Sequence, residues 1–444
     1  MCVLTGGLGS LKGEVVVPGD AGYEAARQVA NRRIQRFPRA IAYCEGREDV
    51  SRCIEWARRR GAPIRLRGGG FGGEGYCVAN GALVIDLSRM NSVTVEDGFV
   101  IAEAGVTNRA LYDAVAPLGY AFPGGMCAGV SIAGQTMGGG WGPSCRLLGL
   151  TCDSLVGAEL VDAYGRGMAA NPHCNQELFW ALRGGGGGNF GVVTSLKFRL
   201  PDIKPEAVTL VTLDWQGADA EAQEQFWDAW QKWLDGADQR VTLQADVSRK
   251  GISCRGLFYG PLDEAVEAVK PLAMLPGCES SLEEMSFGDA MQALMDGCPL
   301  PDKHKSAGRF VLRPLSMELI RVLADSLRAA PDAVEPSYSL YALGGAAGEK
   351  ASGETAFYFR SAMYIVRIQA AWEQDEAGPA GVDWVNRMFP RLAGMTTGSY
   401  VSFPYDGLRE PMRSYYNGNM GRLRRVKRMY DPYGVFRFPQ CVRP

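Results

Sequence analysis

Two short stretches hold the residue types that could do chemistry. "RLRGGGFGGEG", residues 65–75, runs a strand into a series of glycines, and "FPGGMCAGV", residues 122–130, sets Cys127 among further glycines. Successive glycines after a strand can aim several amide hydrogens at one anion, which makes a nest for pyrophosphate. Arg65 and Arg67 would add positive potential along that strand. A thiolate at Cys127 would be a strong nucleophile, although a lone cysteine is by default an inert buried thiol. One glycine loop alone reads equally well as a flexible turn. Here "AGQTMGGGWG" and "RGGGGGNFG" add two more segments of close backbone approach before residue 192, as an elongated dinucleotide requires.

Other chemistries fit less well. The early strand, Gly-x-Gly-x-x-Gly, helix and terminal acidic residue of a dinucleotide-binding βαβ unit are missing, and no glycine run ends in the Gly-Lys-Ser/Thr of a phosphate loop. His173 and His304 are the only histidines, so neither a zinc site nor a histidine triad is expected, and the sequence points to no bound metal. A net charge of −2 gives no bulk attraction to nucleic acid or anionic membrane, and no run approaches the length of a spanning helix. The 12 cysteines are scattered without CxxC spacing and the start "MCVLTGGLG" lacks a secretory pattern, which leads us to expect a cytoplasmic protein. Nothing specifies an oligomeric state.

These residues need elements to position them, and 444 residues suffice for two domains or three. "EDVSRCIEWARRRG" predicts a helix with Val50, Cys53, Ile54 and Ala57 on one face, Asp49 as N-cap and Gly61 as the stop. "IRLR", "ALVIDLSRM" and "FVIAEAGV" read as strands, and Thr107 caps the helix that follows. Between about 205 and 400, strands such as "VTLVTLDW" and "AFYFRSAMYIV" alternate with helices such as "AEAQEQFWDAWQKWL", the pattern of an antiparallel sheet backed by helices. The tail "NMGRLRRVKRMYDPYGVF" predicts a helix with Leu423, Val426, Met429 and Tyr430 on its apolar side and a solvated basic face.

"RLRGGGFGGEGY", "FPGGMCAGVSIAGQTMGGGWG", "LTCDSLVGAELV", "FWALRGGGGGNFGVVTSLKFRLP" and "RLRRVKRMYDPYGVFRFPQCV", in this order, resemble the berberine bridge enzyme-like FAD-linked oxidases of the vanillyl-alcohol oxidase superfamily. The resemblance implies an α+β fold: a two-part PCMH-type FAD-binding domain over residues 1–204 with 400–444 returning to it, and an inserted antiparallel-sheet substrate domain over 205–399. It implies FAD contacts from Arg67, Gly68, Gly69, Gly70, Phe71 and Gly72 in the first loop. Cys127, Gly129, Val130, Ser131, Gly134 and Gly138 follow in the second segment. Asp153, Val156, Gly191, Val193 and Asn419 complete the set. Many members bond FAD twice, through a histidine at the first loop and through a cysteine. Here Phe71 stands at the histidine position and Cys127 at the cysteine, so a single cysteinyl link is expected.

The resemblance further implies oxidation of a small molecule by hydride transfer to the flavin, with O2 as electron acceptor; Val130, at the family's oxygen-gate position, is compatible with this. The family's proton-accepting tyrosine falls on Phe403 in "YVSFPYD", and a strand through that stretch would make Tyr405 the nearest replacement base. Tyr358 and Arg360, on one face of the strand expected at "TAFYFRSAMYIV", are the accompanying candidates for binding substrate oxygen. Glu74 reads as support for the first loop. The aromatic replacements favour an alcohol or a hydrophobic, aromatic metabolite. A dehydrogenase, a nonredox cyclase or isomerase, and a noncatalytic flavin binder are the alternatives.

Overall fold

The computed structural model describes residues 7–203, 206–297 and 301–444. Strands β1 (Val15–Val16), β2 (Ala40–Tyr43), β3 (Ile64–Arg67) and β4 (Leu83–Asp86) form a sheet in the order β1-β2-β4-β3, with β4 parallel to both β2 and β3. Helix Arg47–Arg60 makes the crossover. It buries Val50, Cys53, Ile54 and Ala57, carries three arginines where the helix dipole is negative, and stops at Gly61 with φ 61°. Asp49 does not cap it. Gly46 holds that position, and Asp49 lies inside the first turn, fully buried, where it accepts the amides of Lys12 and Gly13.

A second sheet, β5 (Val93–Glu96), β6 (Phe99–Glu103), β7 (Leu155–Val161), β8 (Gly167–Ala170) and β9 (Val192–Arg199), runs antiparallel in the order β5-β6-β9-β7-β8. Thr107 caps helix Asn108–Val115 as its sequence predicts, accepting from Ala110 N.

The third sheet is antiparallel throughout: β10 (Val208–Gln216), β11 (Val241–Ser248), β12 (Gly251–Phe258), β13 (Glu279–Met285), β14 (Lys303–Val311), β15 (Glu335–Ala342), β16 (Tyr364–Trp372) and β17 (Thr397–Ser399), in the order β13-β10-β12-β11-β15-β16-β14-β17. Strand alternation gives its two faces different work. Tyr364, Val366 and Ile368 of β16 pack with Trp227 and Trp230 of helix Ala220–Gly236 and with Trp384 of helix Gly378–Met395. Each large side chain so buried contributes about 1.5–3 kcal/mol. Ile365 of β16, Phe310 of β14 and Tyr341 of β15 point the other way and join the core of the first two sheets.

Two expected strands are irregular. Residues 355–363 form a connector, with β16 beginning only at Tyr364, because Phe357 wedges into a glycine seam: its amide bonds Arg183 O, and a Cβ placed on Gly139 would come 2.5 Å from its ring. Residues 400–407 turn away after β17, since Pro404 removes a ladder donor. The tail helix Met420–Tyr430 buries Leu423 and Val426, whereas Met429 is exposed. Its basic side is not wholly solvated either. Lys427 is buried against Asp431 at 2.7 Å and donates to Asn189 O, while Asn189 Oδ1 accepts Val442 N, which ties the tail to the third glycine cluster.

Candidate active site

Helix Ile132–Met137 is where the three glycine clusters meet. At its start, a Cβ on Gly68 would lie 2.6 Å from Ser131 Oγ and one on Gly69 would lie 2.6 Å from Gly129 O. At its end, Gly186 N bonds Met137 O, and Gly138–Gly140 continue the chain. The clusters differ in what takes their open sides. Gly68, Gly69 and Gly70, the last at φ 75°, line a cavity of about 700 Å³ together with Gly105, Thr107 and Gly129. Gly138, Gly140 and Gly184 instead admit Ser402, Thr151 and Phe357 on the sides where a Cβ would stand, so these three close an internal seam. Gly72 lies at the exposed rim, and Gly134 leaves open space where a side chain would stand.

Gly129 lines the far side of this cradle, and the helix Asn108–Val115 holds its segment, 127–131, in place. Asn108 donates to Cys127 O, Asn108 N bonds Val130 O, and Arg109 N bonds Ala128 O. Ser131 is buried and donates to Ala104 O at 2.8 Å. The ring of Phe71 lies on Gly129, whose Cβ would come 2.8 Å from Phe71 Cζ, two residues along from the half-buried Cys127. Backbone amides on glycine walls, with the aromatic ring of Phe71 at one side and Cys127 two residues from Gly129, fit a flavin dinucleotide.

Arg67 does not supply free charge to that cradle. It lies in register with Asp86 across β3 and β4, pairs with it, and donates to Ala26 O and Gln28 O, so anion binding falls to the amides. Asp153 and Arg360, expected at the cofactor and the substrate, are spent on each other. Both guanidinium nitrogens reach the carboxylate at 2.8 Å, and Arg360 also holds Ala347 O and Thr355 Oγ1. Burial opposes its charge, yet the bonds to Asp153 leave Arg360 above the ordinary arginine range. Asn419 donates to Ser352 O, Thr355 O and Ala356 O, bracing the same connector. Val156 sits at a bulge of β7; Gly191 and Val193 pack against Leu160 in the second sheet.

Tyr405 is on the wrong side of the sheet for a base. Its hydroxyl donates to Asn386 Oδ1 at 2.8 Å, its ring lies 4.2 Å from Phe389 among the outer helices, and burial raises its pKa. The strand alternation that put it in the site fails because residues 400–407 are a turn. Tyr358, in the connector, sets its ring against Gly418 and Phe359.

The inner face of the third sheet carries what the sequence did not reveal. Arg367 of β16 donates to Ser339 Oγ on β15 and stands 5.3 Å from the ring of Phe403 and 5.6 Å from that of Tyr341. His304 and Ser306 of β14 face Gly73 of the first loop, at 3.6 and 3.4 Å from where its Cβ would be. Burial and then the charge of Arg367 hold His304 down at about 4. Glu74 is buried and paired with Lys305 of β14 and with Arg33, so the first loop is clamped to this sheet. Alternation within each strand was the available signal; which strands are neighbours was not legible.

Among the described residues no cluster could hold a metal ion, and no helix is long and apolar enough to cross a membrane.

Comparison with known proteins agrees with this architecture. Residues 38–169 match the FAD binding domain family and residues 399–443 the family described as berberine and berberine like. The chain is 35% identical over 98% of its length, and 97% of the relative's, to the uncharacterized FAD-linked oxidoreductase YgaK of Bacillus subtilis, and 32% identical to YvdP of the same organism over 98% of both. The solved structure of Physcomitrella patens BBE-like 1 superposes with a TM-score of 0.91 at 25% identity, covering 99% of this chain and 98% of that one. A chitooligosaccharide oxidase shares the fold at a TM-score of 0.89 and 23% identity, over 99% of both chains. This chain belongs to the berberine bridge enzyme-like family of FAD-linked oxidoreductases, with the PCMH-type fold and oxidase-type chemistry that its cradle serves.

Proposed function

We propose that this enzyme oxidises the carbinol carbon of a hydroxyl-bearing substrate, with FAD attached through Cys127 alone and O2 taking the electrons. The observation that carries this reading is the stacking of Phe71 on Gly129, two residues from Cys127. A phenyl ring has no lone pair with which to form a bond, whereas a thiolate has one. Cys127 would hold the flavin ring as a thioether, formed with loss of one thiol hydrogen and one ring hydrogen whose two electrons O2 would accept. Bound FAD supplies a hydride acceptor.

The chain's own residues bind and orient. Arg367, held by Ser339, and Ser306 offer donors to substrate oxygens across the sheet face, and Phe403 and Phe71 limit water. This mixture of polar groups and rings favours the alcohol member of the expected substrates, and a carbohydrate oxidase of Microdochium nivale, 27% identical over 96% of this chain, supports it. Val130, half-buried and next to Gly129 of the cradle, is compatible with oxygen reaching the site. The scattered thiols of the sequence support a cytoplasmic enzyme.

Anaerobic mixing with cellobiose and with benzyl alcohol tests the reaction. Bleaching of the yellow colour by at least one, with recovery and peroxide release on admitting air, is the expected result. A bleached flavin that persists in air would make the protein a dehydrogenase; colour unchanged by a wide set of alcohols would overturn the assignment.

A further inference from the structure

Two walls of the cofactor cavity are neither helix nor strand. One is the first glycine loop, residues 68–71; the other is the segment that contributes Gln28, Val29, Ala30 and Arg32. A backbone bond, Ala30 N to Gly70 O at 3.2 Å, joins them directly. Irregular segments lose conformational entropy when they are held at a fixed separation, so something rigid must hold them. Asn31 makes that connection. It is 1% exposed, and its carboxamide uses every donor and acceptor site it has. Nδ2 donates to Gly73 O at 2.8 Å and to His304 O at 2.9 Å, while Oδ1 accepts His304 N at 3.2 Å and Arg33 N at 3.3 Å. The residues around it repeat the pattern. Arg32 N bonds Asp302 O at 2.6 Å, and Arg33 donates to His304 O and to Glu74, each at 3.0 Å. Lys305, buried, pairs with Glu74 from the other side and reaches Asp406 at 2.5 Å. His304 and Lys305 belong to β14, which is paired with β16 along its whole length and is the stiff member of this joint.

We propose that Asn31 is a positioning residue for FAD: without lining the cavity, it fixes both walls to β14, so that the substrate domain presets the width of the cofactor site. A site held open at its final width spares the binding step the cost of ordering two loops. The coupling is reciprocal, because whatever FAD gains from ordered walls the walls gain from FAD. His304 and Ser306 of the same strand face Gly73, so the joint also sets where the inner sheet face stands against the flavin loop. The inference needs FAD in this cavity and is independent of which substrate is oxidised.

Two measurements test it. The first is hydrogen–deuterium exchange of the flavin-loaded protein, read by mass spectrometry in wild type and in Asn31→Asp, which keeps the shape of the side chain and removes both donors. Residues 68–76 should exchange about 10-fold faster or more, while helix Ala220–Gly236 exchanges as in wild type. Residues 68–76 exchanging as in wild type, or both regions loosened alike, would overturn the proposal. The second is the release of FAD on dilution from Cys127→Ala with and without Asn31→Asp. Release should be about 10-fold faster or more in the double variant, and rates within about threefold of each other would overturn the proposal. If Asn31→Asp does not fold, Lys305→Met takes its place in both measurements, since Glu74 then keeps Arg33 as its partner. If acid does not free the colour from Cys127→Ala, the single bond at Cys127 fails by itself and the exchange measurement decides the role of Asn31 alone.

Discussion

Around helix Ile132–Met137 the chain presents backbone, whereas the inner face of the third sheet presents side chains. In the first region Gly69 and Gly129 approach so closely that a single methyl group has no room, and the carbonyl of Cys127 is fixed by Asn108. In the second, Ser339, Tyr341, Arg367 and Phe403 come from three separate segments and touch through their side chains. A cofactor common to many reactions is held by what every residue has, and substrate is held by what each residue can change. The family tyrosine position can therefore hold Phe403 without disturbing the cradle.

Four changes would break or sharpen that contrast. Removing Arg360, as Arg360→Met, leaves Asp153 buried and uncompensated and should cost about 3–5 kcal/mol in chemical denaturation. The rate of flavin reduction per folded, loaded molecule should hold, because the pair braces the connector and does not bind substrate. Gly69→Ala should cost ~1–3 kcal/mol and lower flavin content, read from the ratio of visible to ultraviolet absorbance, since a Cβ there drives the loop off Gly129 O.

His304 tests the sheet face through pH. Its folded value of about 4 lies below the ordinary one, so the unfolded chain binds the extra proton first and stability falls as pH drops from about 6.5 to 4. His304→Asn should flatten that acid limb by up to ~3 kcal/mol; an unchanged limb would show that the imidazole is not shielded as the structure has it. Tyr405→Phe should lose only the bond to Asn386, about 1 kcal/mol, and leave flavin reduction as fast as wild type. A large loss of rate there would return Tyr405 to the site.

The cofactor half was legible because its signals are local. Glycines at 68–70, Cys127 within a glycine-rich wall and the absence of a histidine at 71 can each be read from a few consecutive residues. The catalytic assignments were not, and the reason is the same for each. Tyr405 and Arg360 were placed by strand alternation across stretches that fold as a turn and a connector, where Pro404 and the wedge of Phe357 prevail over β propensity. Arg67 and Asp153 read as ligands because their partners, Asp86 and Arg360, lie 19 and 207 residues away. Tyr341 and Arg367 could not be paired before the strand order was known.

The attachment of the flavin is the most direct test of the whole. Wild-type protein and Cys127→Ala are precipitated with acid, and the yellow colour is followed into pellet or supernatant. Colour should stay with wild-type protein and wash out of the variant. Colour retained in both, or released from both, would contradict a single bond at Cys127.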